Sequence, residues 1–132
     1  MSNNSTVMGW AALSGIVLAA AGVLGFLNTS LAGTADGSLL RVDTVHNVVH
    51  IATGLVALYI AFGLKGEAQV NGLLGFGILY VVIFVAVLLS PTLFGIFSVA
   101  ANTTIHIIHA AVAVVSLAIG YMARGGSTVT AR

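Results

Sequence analysis

The chain has 132 residues, of which 59% are apolar and only 5% are charged, so it cannot cover a water-soluble surface, which needs roughly a quarter of its residues charged. Four Lys and Arg residues and a net charge of +1 give no basic patch, which argues against nucleic acid as a partner. The absence of cysteine excludes disulfides, thiolate metal sites and iron–sulfur clusters. The partner that remains is the lipid bilayer.

Four apolar runs predict membrane-spanning helices, because each can supply the roughly 20 residues that cross about 30 Å of hydrocarbon. They lie at about 8–27, 44–64, 72–89 and 102–123. A polar stretch from Asn28 to Asp43 joins the first two runs, a turn at Lys65-Gly66-Glu67 joins the next two, and Pro91 ends the third run. The predicted fold is all-α: an integral membrane up-down four-helix bundle that forms a single transmembrane domain over residues 1–132.

The basic residues predict the orientation of the bundle. Lys65, Arg124 and Arg132 fall on the side of the second loop and the C-terminus, whereas Arg41 alone falls on the opposite side. Cytoplasmic loops carry the excess of Lys and Arg. We therefore expect a multi-pass protein of the cell membrane with both the N-terminus and the C-terminus in the cytoplasm.

An internal repeat relates the two halves of the chain. The segments 43–50 and 102–109 both begin with a polar residue and end, seven positions later, with a histidine. Each half would then be one helical hairpin, and both hairpins would enter the membrane in the same sense. The sequence thus predicts two parallel helical-hairpin repeats, in contrast to the inverted repeats of many transporters.

Three short motifs resemble a known family. They are Gly22-Val-Leu-Gly25-Phe26, then His46-Asn47-Val-Val-His50 with Gly54, and Phe94-Gly95-Ile96 followed by Asn102 and His109. The chain resembles the DUF4383 family of small four-helix bacterial membrane proteins over about residues 15–120. In that family we expect an Asp-Asn pair before the last histidine, where this chain has Ile105-His106. The resemblance implies the fold and no activity, because the family name denotes unknown function.

Two polar stripes contain all four histidines of the chain. They are formed by Asp43, His46 and His50 on the second helix and by Asn102, His106 and His109 on the fourth. The spacings of three, four and seven residues place each stripe on one helix face. Because the second and fourth helices run in the same direction, both stripes begin at the same leaflet, which the charges make the outer one. Polar groups at this depth are costly unless they face protein or water, so the stripes should turn inward.

One hypothesis for this cluster is a metal site. Neutral imidazole binds Zn, Cu, Fe and Ni, and the i, i+4 spacing lets two rings on one helix converge on one ion. The candidate metal ligands are His46, His50, His106 and His109. Side chains that could orient the ligand rings by hydrogen bonding are Asp43, Asn47 and Asn102.

A second hypothesis is a b-type haem. His50 and His109 occupy equivalent positions of the repeat and could be the two axial ligands of a haem held between the helices. Under both hypotheses the protein is predicted to be non-catalytic, because no carboxylate is placed as a general base and no nucleophile is activated.

The alternative is that the histidines only hold helices together. Polar side chains hydrogen-bond across helices in lipid, each contributing roughly 1 kcal/mol, and Asp43 and Asn102 are suited to cap helices. The protein would then be a structural or accessory subunit that acts with a membrane-protein partner or as a homo-oligomer. Tyr80, in mid-helix, is predicted to bond between helices, and the glycines of the first and third helices are predicted to permit close packing.

Overall fold

The computed structural model describes residues 2–90 and 101–130, with side chains over 5–90 and 101–125. Four α-helices account for most of this part of the chain. They are α1 Ser2–Phe26, α2 Thr44–Gly63, α3 Gly66–Leu89 and α4 Thr103–Thr130. All four are long and apolar enough to cross a membrane. The all-α four-helix fold predicted from the sequence is confirmed. The helix α3 ends at Leu89, whereas Pro91 and the motif Phe94-Gly95-Ile96 lie outside the described residues.

The helix ends differ from the predicted ones most clearly at α3, which begins at Gly66 and not near position 72. Gly66 has a φ of 57°, a left-handed conformation that glycine adopts readily and that permits the short turn after α2. Gln69 then donates from Nε2 to the carbonyl oxygens of Ile60 and Ala61, at 3.1 and 2.9 Å. The residues from Gly66 to Asn71, which were predicted to form a loop, therefore belong to the first turns of α3, and of the polar ones only Gln69 is buried. Likewise, α1 begins at Ser2 and α4 continues to Thr130, so both helices are longer than the apolar runs in the sequence.

The segment between α1 and α2 is more ordered than the predicted loop. It contains two short strands, β1 Ala32–Gly33 and β2 Leu40–Arg41, which pair in parallel. Asn28, at φ 57°, accepts a hydrogen bond on Oδ1 from the backbone N of Thr34 at 2.8 Å. Asn102, just before α4, donates from Nδ2 to the Leu39 carbonyl at 3.1 Å. The bond from Asn102 thereby links this segment to the start of α4.

Glycines bring α1 and α2 into close contact, as predicted for α1. A Cβ atom on Gly54 would lie 2.7 Å from the backbone N of Ala19 and 2.9 Å from the carbonyl oxygen of Gly15. Real Cβ atoms do not approach backbone so closely, so only glycine fits at this crossing. The second hairpin has a similar arrangement, with Gly77 of α3 against Leu117 of α4.

Contacts between helix ends define an up-down arrangement. Gly25 near the end of α1 lies against Asn47 near the start of α2, and Arg124 of α4 bonds Asn71 near the start of α3. Among the described residues no Cα atoms of α2 and α4 approach within 8 Å, so this diagonal pair meets only through side chains. The prediction that the two hairpins are repeats of one another stays a prediction.

Candidate metal centre

The first two histidines of the cluster are placed by the start of α2. Asp43 precedes the helix in an extended conformation, and its Oδ1 accepts a hydrogen bond from the backbone N of His46 at 2.9 Å. This N-cap fixes the first turn. His46 and His50 follow one helical turn apart, with ring centroids 4.3 Å from each other. Only 1% and 3% of their surfaces are exposed, so both rings lie inside the bundle.

The third histidine comes from α4, which is capped in the same way. Asn102 accepts on Oδ1 a hydrogen bond from the backbone N of Ile105 at 3.1 Å, while its Nδ2 donates to the Leu39 carbonyl in the segment between α1 and α2. His109 then points into the bundle and is 1% exposed. Its ring centroid lies 5.2 Å from that of His46 and 5.7 Å from that of His50.

The three rings converge on one another through their Nε2 atoms. His109 Nε2 lies 3.4 Å from His46 Nε2 and 3.4 Å from His50 Nε2. One ligand nitrogen from each of the three residues falls within 4.8 Å of the others. A tetrahedral ion with nitrogen bonds of 2.0–2.1 Å separates its ligands by about 3.3 Å. The distances from His109 Nε2 to the Nε2 atoms of His46 and His50, both 3.4 Å, are already close to this value.

The hydrogen bonding of the cluster is incomplete. The Nδ1 atoms of His50 and His109 are buried and have no hydrogen-bond partner among the described residues. Buried polar atoms are nearly always paired, and unpaired ones require an explanation. The arrangement therefore differs from a saturated network of hydrogen bonds between helices.

The fourth histidine of the predicted ligand set lies elsewhere. His106 faces α3, where its ring centroid is 6.4 Å from that of Phe84, and it is outside the group of three. Positions three apart on a helix differ by about 60° around the axis. His109 is thus directed at α2 while His106 is directed at a neighbouring helix.

The three predicted orienting residues have different positions. Asp43 is the N-cap of α2 beside His46. Asn102 is the cap of α4 and is bonded to the segment before α2. Asn47 lies against Gly25 of α1, and its Oδ1 is buried without a hydrogen-bond partner in the described part of the chain. Of the three, only Asp43 makes a hydrogen bond to one of the converging histidines.

The structure adds neighbours that the sequence analysis did not single out as part of the site. Tyr80 of α3 presents its ring to His109, with centroids 5.7 Å apart, and shares a hydrogen bond of 2.6 Å with Thr53 Oγ1. Tyr80 thus bonds between helices, as predicted. A cavity of about 130 Å³ adjoins His46 and His109 and is otherwise lined by aliphatic side chains. Thr53 could have been found from its spacing, because it lies seven residues after His46 on the same helix face.

The fold and the cluster together define a small multi-pass membrane protein with three histidines buried in one layer. A family model described as "Domain of unknown function (DUF4383)" matches residues 9–122. The match covers most of the chain, and the protein therefore belongs to this family, as the resemblance of its motifs indicated. Searches of curated proteins and of solved structures gave no match.

Proposed function

We propose that this protein is a non-catalytic membrane protein that binds one transition metal ion through His46, His50 and His109. The observation that carries the proposal is the convergence of three buried imidazoles, with two Nε2–Nε2 distances of 3.4 Å. Neutral imidazole is a ligand for Zn, Cu and Fe. The fourth histidine, which faces Phe84, is not part of the proposed ligand set.

Hydrogen bonding alone accounts poorly for this geometry. The two contacts of 3.4 Å exceed the usual limit of about 3.2 Å for a bond from an N–H donor. An ion would engage three nitrogen lone pairs at once, which supports metal binding over a role in helix packing alone.

The same distances favour an ion over haem. His50 and His109 approach each other closely, and His46 approaches His109 at an equal distance, so the third ring lies where a macrocycle would have to pass. The adjoining cavity of about 130 Å³ is also small beside the roughly 300–1,000 Å³ of typical cofactor sites.

The surroundings of the cluster favour a non-catalytic role for the metal, such as metal handling, sensing or electron transfer. Apart from the two histidines, the adjoining cavity is lined by aliphatic residues, which supply no general acid or base for catalysis.

The experiment that tests metal binding is elemental analysis of the protein purified in detergent, with an absorption spectrum. We expect one Zn, Cu or Fe ion per chain in the parent, and loss of nearly all of it in His109→Ala. His106→Ala is the matched control, because it removes a histidine of the same helix outside the converging group, and it should retain the ion. If the parent carries no metal and takes up none of the three, metal binding is refuted and the accessory-subunit interpretation replaces it; a Soret band would favour haem.

We further propose that the protein lies in the cell membrane with both termini cytoplasmic and the cluster near the outer leaflet. The support is the distribution of Lys65, Arg124 and Arg132 against Arg41. The natural chain has no cysteine, so single cysteines can be labelled without background. An impermeant thiol reagent should label Gly37→Cys in intact cells and label Glu67→Cys only after the membrane is opened; the reverse pattern would place the cluster near the inner leaflet.

A further inference from the structure

A groove at the turn between α2 and α3 combines an apolar wall with a positive charge. It has a volume of about 410 Å³ and is lined by residues from the start of α1, the end of α2 and the start of α3. Its apolar lining includes Met8, Ala61 and Phe62, and among the described residues that line it Lys65 is the one charged side chain. The volume is within the range of about 300–1,000 Å³ typical of ligand sites. The lining suits a ligand that has both an apolar and an anionic part.

The apolar wall of the groove is open to the lipid. Met8 of α1 is 43% exposed and Phe62 of α2 is 65% exposed, and both helices are long and apolar enough to cross a membrane. Exposed side chains of membrane-spanning helices contact acyl chains. An acyl chain can therefore lie against this wall without leaving the bilayer.

The charged end of the groove is at the membrane surface. Gly63 ends α2 and Gly66 begins α3, so the turn between these two membrane-spanning helices lies at the level of the lipid headgroups. Lys65 is exposed, and within the described part of the chain it makes no salt bridge. Its side chain also does not cap α3, whose first backbone N–H groups add to the attraction for a negative charge.

The acidic residue nearest in sequence does not line the groove. Glu67 is exposed and lies outside the lining. Arg124, a second cation near this end of the bundle, is bonded to Asn71 and also lies outside the lining. The charge that the groove presents to a ligand is thus the positive charge of Lys65.

We propose that this groove binds one anionic phospholipid, with its phosphate beside Lys65 and an acyl chain along Met8 and Phe62. A lipid fits better than a free anion, because a small hydrated anion gains nothing from an apolar wall. The site is independent of the proposed metal site, since it lies at the end of α2 whereas His46 and His50 lie near the start of that helix.

The test is native mass spectrometry of the full chain in detergent, titrated with phosphatidylglycerol, which is anionic, or with zwitterionic phosphatidylcholine of the same acyl chains. We expect one phosphatidylglycerol per chain, bound about fivefold more tightly than phosphatidylcholine. Lys65→Gln should weaken the binding of phosphatidylglycerol by about fivefold, the effect of one basic residue near anionic lipid. Lys65→Arg should retain the binding. Both variants change an exposed side chain, so they should not disturb the fold.

The matched control for charge is Arg41→Gln. Arg41 precedes α2 and Lys65 follows it, so this variant removes a positive charge on the opposite side of the membrane and should leave lipid binding unchanged. If Arg41→Gln and Lys65→Gln weaken binding equally, the lipid responds to the net charge of the protein and the site is refuted.

A second pair of variants tests the apolar wall. Met8→Trp enlarges a side chain of the groove and should weaken the binding of phosphatidylglycerol by about fivefold or more, as expected from overpacking. Ile16→Trp places the same ring at an exposed position of α1 outside the groove and should leave binding unchanged. Equal binding in the parent and in Met8→Trp would show that the acyl chain does not use this wall.

Two other results would overturn the proposal. Equal affinity for the two lipids would remove the role of the negative charge. Displacement of phosphatidylglycerol by inorganic phosphate would assign the site to a free anion. The measurement needs no metal, so a chain that holds no ion but binds phosphatidylglycerol refutes the metal site alone.

Discussion

The bundle contains two kinds of buried polar contact, and they differ in how completely their hydrogen bonds are made. Away from the histidines, Trp10 Nε1 donates to Ser116 Oγ at 2.8 Å, and Gln69 Nε2 donates to carbonyls at the end of α2 at 2.9–3.1 Å. In the histidine layer, formed by His46, His50 and His109, the contacts between ring nitrogens are 3.4 Å long, beyond the usual limit of about 3.2 Å for a hydrogen bond from an N–H donor.

The difference separates structural contacts from a candidate binding site. A helix pair that needs only a hydrogen bond can make one of normal length with a single donor and a single acceptor, as Trp10 and Ser116 do. Three imidazoles directed at one point make a poor hydrogen-bond network and a good set of metal ligands. Buried polar groups of the first kind should affect stability, and those of the second kind should affect ligand binding.

The largest effect on stability is expected where packing alone holds the helices. Gly54→Ala places a methyl group 2.7 Å from the Ala19 backbone, and backbone cannot move aside as a flexible side chain can. We expect a loss near the upper end of the about 1–3 kcal/mol typical of overpacking. The measurement is the free energy of unfolding in mixed micelles titrated with denaturing detergent.

The control for this substitution is Gly75→Ala. A Cβ on Gly75 of α3 would meet nothing within 4 Å, so this variant should be at least as stable as the parent. If both variants lose stability equally, the cost comes from glycine replacement in general and the close crossing of α1 and α2 is not what holds the hairpin together.

The next effect concerns metal affinity at the edge of the histidine layer. Asp43→Asn keeps a side-chain oxygen that can cap α2 at the His46 backbone N, but it removes a negative charge beside a ligand. We expect metal affinity to fall by about 10- to 100-fold, as for changes in groups next to ligating histidines. Calorimetric titration of the metal-free protein with metal measures this affinity.

Asp36→Asn provides the comparison for the loss of charge. The side chain of Asp36 is 90% exposed and pairs with Arg41 at 3.2 Å, on the same side of the membrane as the cluster. Its removal should leave metal affinity unchanged within about twofold, because exposed charges are screened by salt. An equal drop in the two variants would mean that the charge of the whole segment matters and that Asp43 has no special role.

A smaller effect is expected at Tyr80. Tyr80→Phe keeps the ring but removes the hydroxyl that lies 2.6 Å from Thr53 Oγ1. Thr53 keeps its own bond to the Val49 carbonyl at 2.8 Å, so the loss should be about 0.6 kcal/mol, the mean measured for polar contacts between membrane helices, and should not exceed the measured maximum of about 1.7 kcal/mol. Metal content should be unchanged; a variant of normal stability that loses its metal would move Tyr80 from the structural contacts to the site.

The sequence predicted the helices well because length and apolarity determine what crosses a bilayer. It failed at the start of α3, where Gln69 and Asn71 read as loop residues. What places Gln69 inside a helix is its bond to carbonyls at the end of α2, a tertiary contact that no local pattern shows. The two strands between α1 and α2 are only two residues long each, too short for alternation to be detected.

The sequence predicted that histidines of the second and fourth helices come together, but it did not predict which histidine of the fourth helix joins the cluster. Helical spacing placed His46 and His50 on one face, and the structure brings both to His109. Positions 106 and 109 also share a face within the tolerance of a helical wheel. Which of the two meets α2 depends on how α4 is rotated against its neighbours, and that rotation follows from the packing of Gly77 and Gly120 in the second hairpin.

The smallest effect on stability is expected at His109, and it tests most directly whether the histidine layer differs from the structural contacts between helices. His109→Leu in the metal-free protein removes both contacts of 3.4 Å together with a buried Nδ1 that has no partner in the described chain. Removing one partner of a well-made buried hydrogen bond costs about 1–3 kcal/mol, but contacts of 3.4 Å are longer than a normal hydrogen bond, so His46 and His50 have little bonding to lose. We therefore expect a change in unfolding free energy of less than about 0.5 kcal/mol, smaller than the effect of Tyr80→Phe. The same substitution should remove the stabilisation that saturating metal gives the parent, which equals RT ln(1 + [L]/Kd) and is about 2.7 kcal/mol at a hundredfold excess over Kd. A loss above about 1 kcal/mol without metal would show that the imidazoles act as ordinary contacts between helices.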